Sequence, residues 1–379
     1  MAGVHDINWR ECIRNVIAGK PSEFIPAVFR LDKWHQARAH DNSLPNELEG
    51  MSVAQMEAHL GLARSARAGR VFDTVLKPPV ECIESRQDDR LTTEWHTPVG
   101  TLRMVRQLKP GDEAAGLSPT IIEHPIKQLQ DYAAYEQVMA HTDFVPTYDQ
   151  YLEYDKAIDN AGLPLVVIGP IPFHDLLIRW VGYERAYVHL FEQPDVVLQA
   201  VETANNAYQR MWRIVAESPA ELVMHGVNFD SQMTSPSIFR EHFLPYLSAF
   251  NDRMHASGKK AAFHGDGDMA ALLDLVVEAG YDVCDCFACE PLVRCTAAQA
   301  YAAWKDRITI WGGVPSGLLE PNVPLERLHE HLGSLYRQVA PGDRFILGIS
   351  DQAMPTATWD HLAKLSEWAR SHLRYPIDF

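Results

Sequence analysis

The sequence predicts an α/β fold, a (β/α)8 barrel with an N-terminal α+β elaboration. Three observations lead there. From about residue 150 onward, short apolar runs alternate with longer helical patterns, the sign of a parallel sheet. The runs are apolar throughout, as strands covered on both faces are. No G-x-G-x-x-G follows the first of them, which counts against a doubly wound dinucleotide fold.

The elements follow in order. Residues from about 6 to 18, with Asp6 and Glu11 among them, read as an amphipathic helix. Phe24 to Phe29 is an extended apolar run ending at Arg30, and a later helix opens at Ser52. Between Val80 and Leu108, the pieces ECIESRQ, RLTTEWHT and GTLRMVRQ alternate in polarity. Turn residues at Asp88-Asp89 and Pro98-Val99-Gly100 separate them, so they read as strands. A helix is expected over Ile126 to Ala140. Further strands are expected at Leu163–Ile168, Leu222–Val227, Lys260–His264, Val283–Phe287, Ile308–Trp311 and Phe345–Gly348. Helices fall at 236–257 (opened by Ser235-Pro-Ser), Met269–Ala279, Ala297–Lys305, Leu325–Val339 and Thr358–Leu373. With Phe24–Phe29 and one early strand, the count approaches the roughly eight of a barrel. No Ser/Gly-rich linker or internal repeat interrupts it. Residues 1–379 are therefore expected to be one barrel domain, with 1–150 carrying the extension.

Composition narrows the function classes. Of the 379 residues 46% are apolar and 22% charged, which suits a globular chain and excludes disorder as its main state. A formal charge of −16 disfavours nucleic acid and anionic membrane as partners. No apolar run reaches the roughly 18 residues of a membrane span. The longest, Leu163 to Phe173, is broken by Gly169, Pro170 and Pro172. The N-terminus lacks the basic start and apolar centre of a signal peptide. Cys12, Cys82, Cys284, Cys286, Cys289 and Cys295 do not make a disulfide framework. A cytoplasmic protein with reduced thiols is expected. Oligomeric state is open, a homodimer being one option.

In a barrel, chemistry gathers where strands end. Arg30 and Trp34 follow the first run, and His174 follows the strand at 163–168. His225, Asn228 and Asp230 accompany the strand at 222–227. Next come His264 and Asp266, then Cys289, Trp311 and Asp351. His264 and Asp266 stand two apart, so in extended backbone both point to one side. With Asp351 they offer an imidazole and two carboxylates, which suits Zn²⁺ or another divalent ion with an open position. The alternative is that Asp266 caps the following helix. Cys284 and Cys286 fall inside a strand and read as small buried hydrophobes. Cys289, beyond the strand end, is a reserve metal ligand. His174 is a satisfied polar contact or a proton carrier, and His225 a core histidine or a pocket liner. Asn228 and Asp230 suit substrate contact, and Trp34 and Trp311 could wall an apolar pocket.

The pieces FHGDGDMAALLDLVVEAGYDVCDCFACEP, ITIWGGVPSGLLEP and FILGISDQAMPTATWDHL resemble the uroporphyrinogen decarboxylase superfamily. Arg30-Leu-Asp-Lys-Trp34, LPNELEGMSVAQMEAHLG, TPVGTLR, Glu123-His-Pro-Ile-Lys127 and Asn228-Phe-Asp230 are similar to its methyltransferase branch. The resemblance covers most of the chain and implies a single barrel with an N-terminal extension. The decarboxylases' Arg-Gln-x-Gly-Arg motif is missing, and Gly348-Ile-Ser350-Asp351 replaces their Gly-His-Gly. Few clustered cations remain to hold a polycarboxylate.

The thiol-methylating members bind zinc through His-x-Cys and a later Cys, where this chain has His264, Asp266 and Ser350/Asp351. The resemblance therefore implies an O-demethylase-like enzyme. It would move a methyl group from a small, methoxylated donor to the Co(I) cobamide of a separate corrinoid protein. Zn²⁺ on His264, Asp266 and Asp351 would serve as Lewis acid, or His225 or His174 would protonate the leaving oxygen. A metal-free decarboxylase or lyase, and a non-catalytic tetrapyrrole- or corrinoid-binding barrel, are the alternatives.

Overall fold

The computed structural model describes residues 7–109 and 111–378. Two compact units are present. One comprises Met1–Gly69, Leu152–Gly169 and Ala220–Phe379, and the other Arg70–Tyr151 and Pro170–Pro219.

The second unit holds the antiparallel strands β1 (Phe72–Leu76), β2 (Glu81–Gln87), β3 (Arg90–Thr97), β4 (Gly100–Gln107), β5 (Thr120–Glu123) and β6 (Thr142–Pro146). β2 to β5 form a four-stranded meander in chain order, and β1 pairs with β6. β2, β3 and β4 coincide with the three alternating pieces, and Asp88 turns the first hairpin at φ 52°. β1, β5 and β6 are too short to show a period of two. The expected helix at 126–140 begins only at Asp131, because the Asp131 carboxylate accepts the N–H groups of Lys127 and Gln128 in a turn before it. Trp180 packs on Trp95 and Tyr135, with centroids 4.8 and 4.9 Å away.

The first unit is built on six parallel strands: β7 (Leu165–Gly169), β8 (Leu222–His225), β9 (Lys260–His264), β10 (Val283–Phe287), β11 (Thr309–Pro315) and β12 (Phe345–Ser350). They lie side by side in chain order. β9 and β10 fall where expected, while β11 and β12 run further. The expected strand Phe24–Phe29 is extended but makes only isolated bridges, one of them Ala27 beside Leu347. Pro26 has no N–H to give a ladder, so the segment bonds to β12 only through Val28 N–H to Leu347 O and Leu347 N–H to Pro26 O, both 2.9 Å. Its other side takes the N–H of Ala63 on Ala27 O (2.9 Å), and Ala66 O accepts the N–H of Leu165 (2.8 Å).

One apolar cluster joins Val28, Ala63, Leu165, Leu222, Met224, Ala262, Val283, Trp311 and Ile346. Trp9, Ile13, Val16 and Ile17 of the helix Trp9–Ile17 complete it. Asn8 caps that helix by accepting the Glu11 N–H at 3.0 Å, and position 6 of the expected helix lies outside the described residues. Ser52 opens Val53–His59 in a capping box with Gln55. The helix expected at 236–257 is a short turn, a π segment Phe239–Phe243 and a helix Leu244–Ala256. Pro245 withholds the N–H that a continuous helix needs there. Among the described residues no helix is long and apolar enough to cross a membrane.

Glu57, 1% exposed, meets the Arg64 guanidinium and the Ser65 N–H, each at 3.2 Å. Burial nevertheless pushes its carboxyl up to about 7. The folded chain then holds this proton more tightly than the unfolded chain. Stability from this group is fullest below pH 4.5 and falls as pH rises towards about 7. Glu57→Gln is expected to flatten that fall and to gain about 2–3 kcal/mol near pH 8 in urea unfolding. An unchanged pH slope would contradict the assignment.

Candidate metal centre

β9 ends at His264 and runs on into Gly265-Asp266-Gly267, and both glycines are sterically required. A Cβ on Gly265 would stand 2.4 Å from the Cys284 sulfur, and one on Gly267 would stand 2.5 Å from the Phe229 carbonyl oxygen. The missing side chains let the loop lie against its neighbours while His264 and Asp266 turn to the same side. Gly265→Ala is expected to shift that pair and weaken metal binding by about 10²-fold in a competition titration. Unaltered affinity would show that the close fit is dispensable.

The imidazole of His264 is 7% exposed and held from one side. Its Nδ1 lies 2.9 Å from Asp285 Oδ2. A carboxylate only accepts, so Nδ1 donates. Asp285 is fully buried, and Arg67 pairs with its other oxygen. Burial works against the Asp285 charge, but Arg67 and His264 overcome it and hold the carboxyl well below its usual range. This is the carboxylate–histidine arrangement that fixes the ring of a metal ligand.

Nε2 is thereby left facing two more carboxylates. Asp266 Oδ2 and Asp351 Oδ1 each lie 3.5 Å from it. That is long for a hydrogen bond. It fits two ligands of one tetrahedral ion, which at about 2.1 Å from the metal stand about 3.4 Å apart. Ligand atoms of His264, Asp266 and Asp351 all lie within 4.8 Å of one another. Asp266 Oδ1 is buried with no hydrogen-bond partner among the described residues, as a carboxylate awaiting a cation would be. Burial opposes a charge on His264, yet Cys286, Asp266, Asp285 and Asp351 raise it well above the ordinary histidine range in the metal-free protein. Either a proton or a metal ion thus meets these anions.

Neighbours orient the ligands. Asn228 donates from Nδ2 to Asp266 Oδ2 at 3.1 Å. Arg30 donates from Nη1 to Asp351 Oδ1 (2.6 Å) and to its carbonyl (3.2 Å). Burial lowers the Asp351 charge preference, but His264 and Arg30 outweigh it and keep the carboxyl low. Asn228, Cys286 and Asp351 have positive φ of 51°, 55° and 62°. Non-glycine residues rarely adopt this conformation, and here it occurs at three strand ends around one cluster.

The structure thus brings together five of the expected residues: His264, Asp266, Asp351, Asn228 and Arg30. It places the others differently. Asp266 does not cap the next helix. That helix, Leu273–Glu278, has no side-chain cap, and Asp268 accepts the Ala270 N–H at 3.1 Å in the turn before it. Asp230 spends its carboxylate on the N–H groups of Gln232, Met233 and Asp268, which tie its loop. His225 Nδ1 donates to Gly169 O (2.9 Å) and its Nε2 meets the Tyr246 hydroxyl (3.0 Å). Burial pushes it down to about 4. His174 belongs to the other unit, where it is buried and its Nε2 lies 2.8 Å from the Tyr183 hydroxyl. Trp34 and Trp311 are 1% and 4% exposed, and their indole N–H groups point to Ala357 O and Val28 O, so both are core.

Cys289 donates to Gly313 O at 3.3 Å, and burial pushes its thiol up to about 12. Cys286, expected to be a plain buried strand residue, stands beside the cluster where Cys289 was expected. The ladder between β10 and β11 slips between Asp285 and Phe287, and the positive φ at Cys286 turns its sulfur to the cluster. Ligand atoms of His264, Asp285 and Cys286 form a second group within 4.8 Å. Arg67, Asp285 and Cys286 are the residues sequence reasoning missed.

A profile described as uroporphyrinogen decarboxylase matches residues 112–372. No curated protein matches the chain. Among solved structures it is similar to a methyltransferase from Methanosarcina mazei, at 13% identity and a TM-score of 0.60. The alignment covers 94% of this chain and 96% of that one, and the likeness is one of fold. With residues 112–372 matched, the chain belongs to the uroporphyrinogen decarboxylase family.

Proposed function

We propose that the chain is a metal-dependent methyltransferase. It takes a methyl group from a small methoxylated donor and passes it to the Co(I) cobamide of a separate corrinoid protein.

 The donor is a small methoxy compound, and the methyl carbon is the only group that leaves it. The observation that carries this reading is the convergence of His264 Nε2, Asp266 and Asp351 beside an unpartnered, buried Asp266 oxygen. The fold shared with the methyltransferase from Methanosarcina mazei is consistent with it.

The same reading takes the parallel sheet as a closed eight-stave barrel. Its support is the hydrogen bonding of 26–28 to β12 and to Ala63, and of Ala66 to β7, with side chains from all eight segments in one core cluster. The candidate ligands then stand together at the carboxyl ends of the staves.

When bound, a divalent metal supplies Lewis acidity at the donor oxygen, and the cobamide supplies the nucleophile. The chain's own residues do the rest. Asp285 fixes the His264 ring, Asn228 and Arg30 fix the two carboxylates, and Arg67 balances the buried Asp285. His225 is held by Gly169 and Tyr246, so it is poorly placed to hand a proton to the leaving oxygen.

The test mixes the full chain, Co(I) cobamide and a panel of methylated donors. Growth of the methylated corrinoid absorbance with one methoxylated donor is the expected result. A flat spectrum with CO₂ released from a carboxylated compound would replace this reading with a decarboxylase. Tight tetrapyrrole binding without turnover would replace it with a carrier.

A further inference from the structure

We infer that β2 is a dimerisation edge. A second copy of this chain adds its own β2 antiparallel to it across a two-fold axis at Ser85, joining two four-stranded meanders into one sheet.

Among the described residues β2 pairs only with β3, and it stands at the end of its sheet. All seven of its residues are exposed, Ile83 by 50%. Such an edge presents a row of backbone donors and acceptors to a second strand. Edges that stay single carry proline, a bulge or a covering segment. Glu81–Gln87 has no proline, and its register with β3 runs without a slip. The turn fixes which groups are free. Asp88 and Asp89 join β2 to β3, and a two-residue turn closes on a hydrogen-bonded pair, here Gln87 with Arg90. Bonds to β3 then recur at Ser85, Ile83 and Glu81. The N–H and C=O groups of Cys82, Glu84 and Arg86 face the open edge.

A two-fold antiparallel partner pairs these three residues with one another, and charge selects the register. An axis at Glu84 sets the two Glu84 carboxylates against each other, which destabilises. An axis at Ile83 sets Glu84 against Cys82 of the second copy and gives neither charge a counterpart. An axis at Ser85 sets Glu84 against Arg86 of the second copy, twice by symmetry. Within one copy Glu84 already meets Arg106 at 3.0 Å, and Arg86 meets Glu113 at 2.7 Å. Association joins these pairs into a row of alternating sign, Arg106 and Glu84 followed by Arg86 and Glu113 of the second copy. A row of this kind is worth more than its separate exposed pairs. A cavity of about 390 Å³, lined by Glu84, Arg86, Leu91 and Arg106 among others, leaves room beside the edge for the incoming side chains.

Sedimentation of the full chain at micromolar concentration should give twice the chain mass. Glu84→Pro removes an N–H that only the second copy uses, so the hairpin keeps its own ladder. It should leave the circular dichroism spectrum unchanged and weaken dimerisation by about 10-fold or more. A second measurement does not depend on that variant folding. Cys82 is the exposed thiol of the strand, and Cys82→Ser removes it. In that background Ser85→Cys places two thiols across the axis in a non-hydrogen-bonded pair, with Cα atoms about 4.5 Å apart, within reach of a disulfide. Oxidised glutathione should take two electrons and two protons from them, becoming two reduced molecules and leaving one interchain disulfide. Ile83→Cys in the same background should stay unlinked. A monomeric wild-type chain, a dimer indifferent to Glu84→Pro, or a link through Ile83→Cys in place of Ser85→Cys would overturn the inference.

Discussion

His264→Ala is expected to abolish stoichiometric metal binding and to lower corrinoid methylation by about 10³-fold or more. The imidazole is the one ligand whose orientation is fixed from behind, by Asp285, and the one shared by both ligand groups. Without it, Asp266 and Asp351 face each other with no nitrogen between them, and the metal's Lewis acidity is lost from the donor oxygen. A factor of 10³ corresponds to about 4 kcal/mol of transition-state stabilisation, within what such an ion supplies. Metal analysis and donor-dependent corrinoid methylation check it together. Full activity in a metal-free His264→Ala chain would remove the metal from the account.

Asp285→Ala carries the largest expected cost to stability, about 3–5 kcal/mol in urea unfolding. Its carboxylate is fully buried between Arg67 and His264 Nδ1, so its removal leaves a half-buried guanidinium and a buried ring N–H without their acceptor. Metal affinity should also fall by about 10- to 100-fold, since the ring would no longer be held. Asp285→Asn keeps the shape and one acceptor, and should fall between the two. Wild-type stability in Asp285→Ala would mean that the ion pair does not hold this strand end together.

Much of this was legible in the sequence, and the exceptions have physical causes. The strands β2, β3, β4, β9 and β10 announce themselves by alternation or by an unbroken apolar run between turn residues. His264, Asp266 and Asp351 could be found because they directly follow such strands. Phe24–Phe29 read as a strand because its side chains are apolar, but Pro26 and its mostly isolated bridges give it only part of a ladder.

Arg67 was hidden because the segment before it is too short to show any period, though it bonds on both sides. Asp285 does carry a signal in the sequence: an ionisable residue inside the apolar run Val283–Phe287 needs a buried partner. Cys286 and Cys289 were separated by backbone geometry alone. A slipped ladder and a positive φ decide which thiol faces the cluster, and neither is visible in a string of residues. His225 and Asp230 stand at strand ends as the expected ligands do, and only their hydrogen-bond partners show that the fold itself uses them.

The most direct measurement is a metal titration of chelator-stripped chain, followed by corrinoid methylation with an active methoxylated donor. Methylation should be absent in the stripped protein and return in proportion to added Zn²⁺ or Co²⁺, levelling off at one equivalent per chain. Equal methylation with and without metal, or none at any loading across the donor panel, would contradict a metal-dependent methyltransferase built on His264, Asp266 and Asp351.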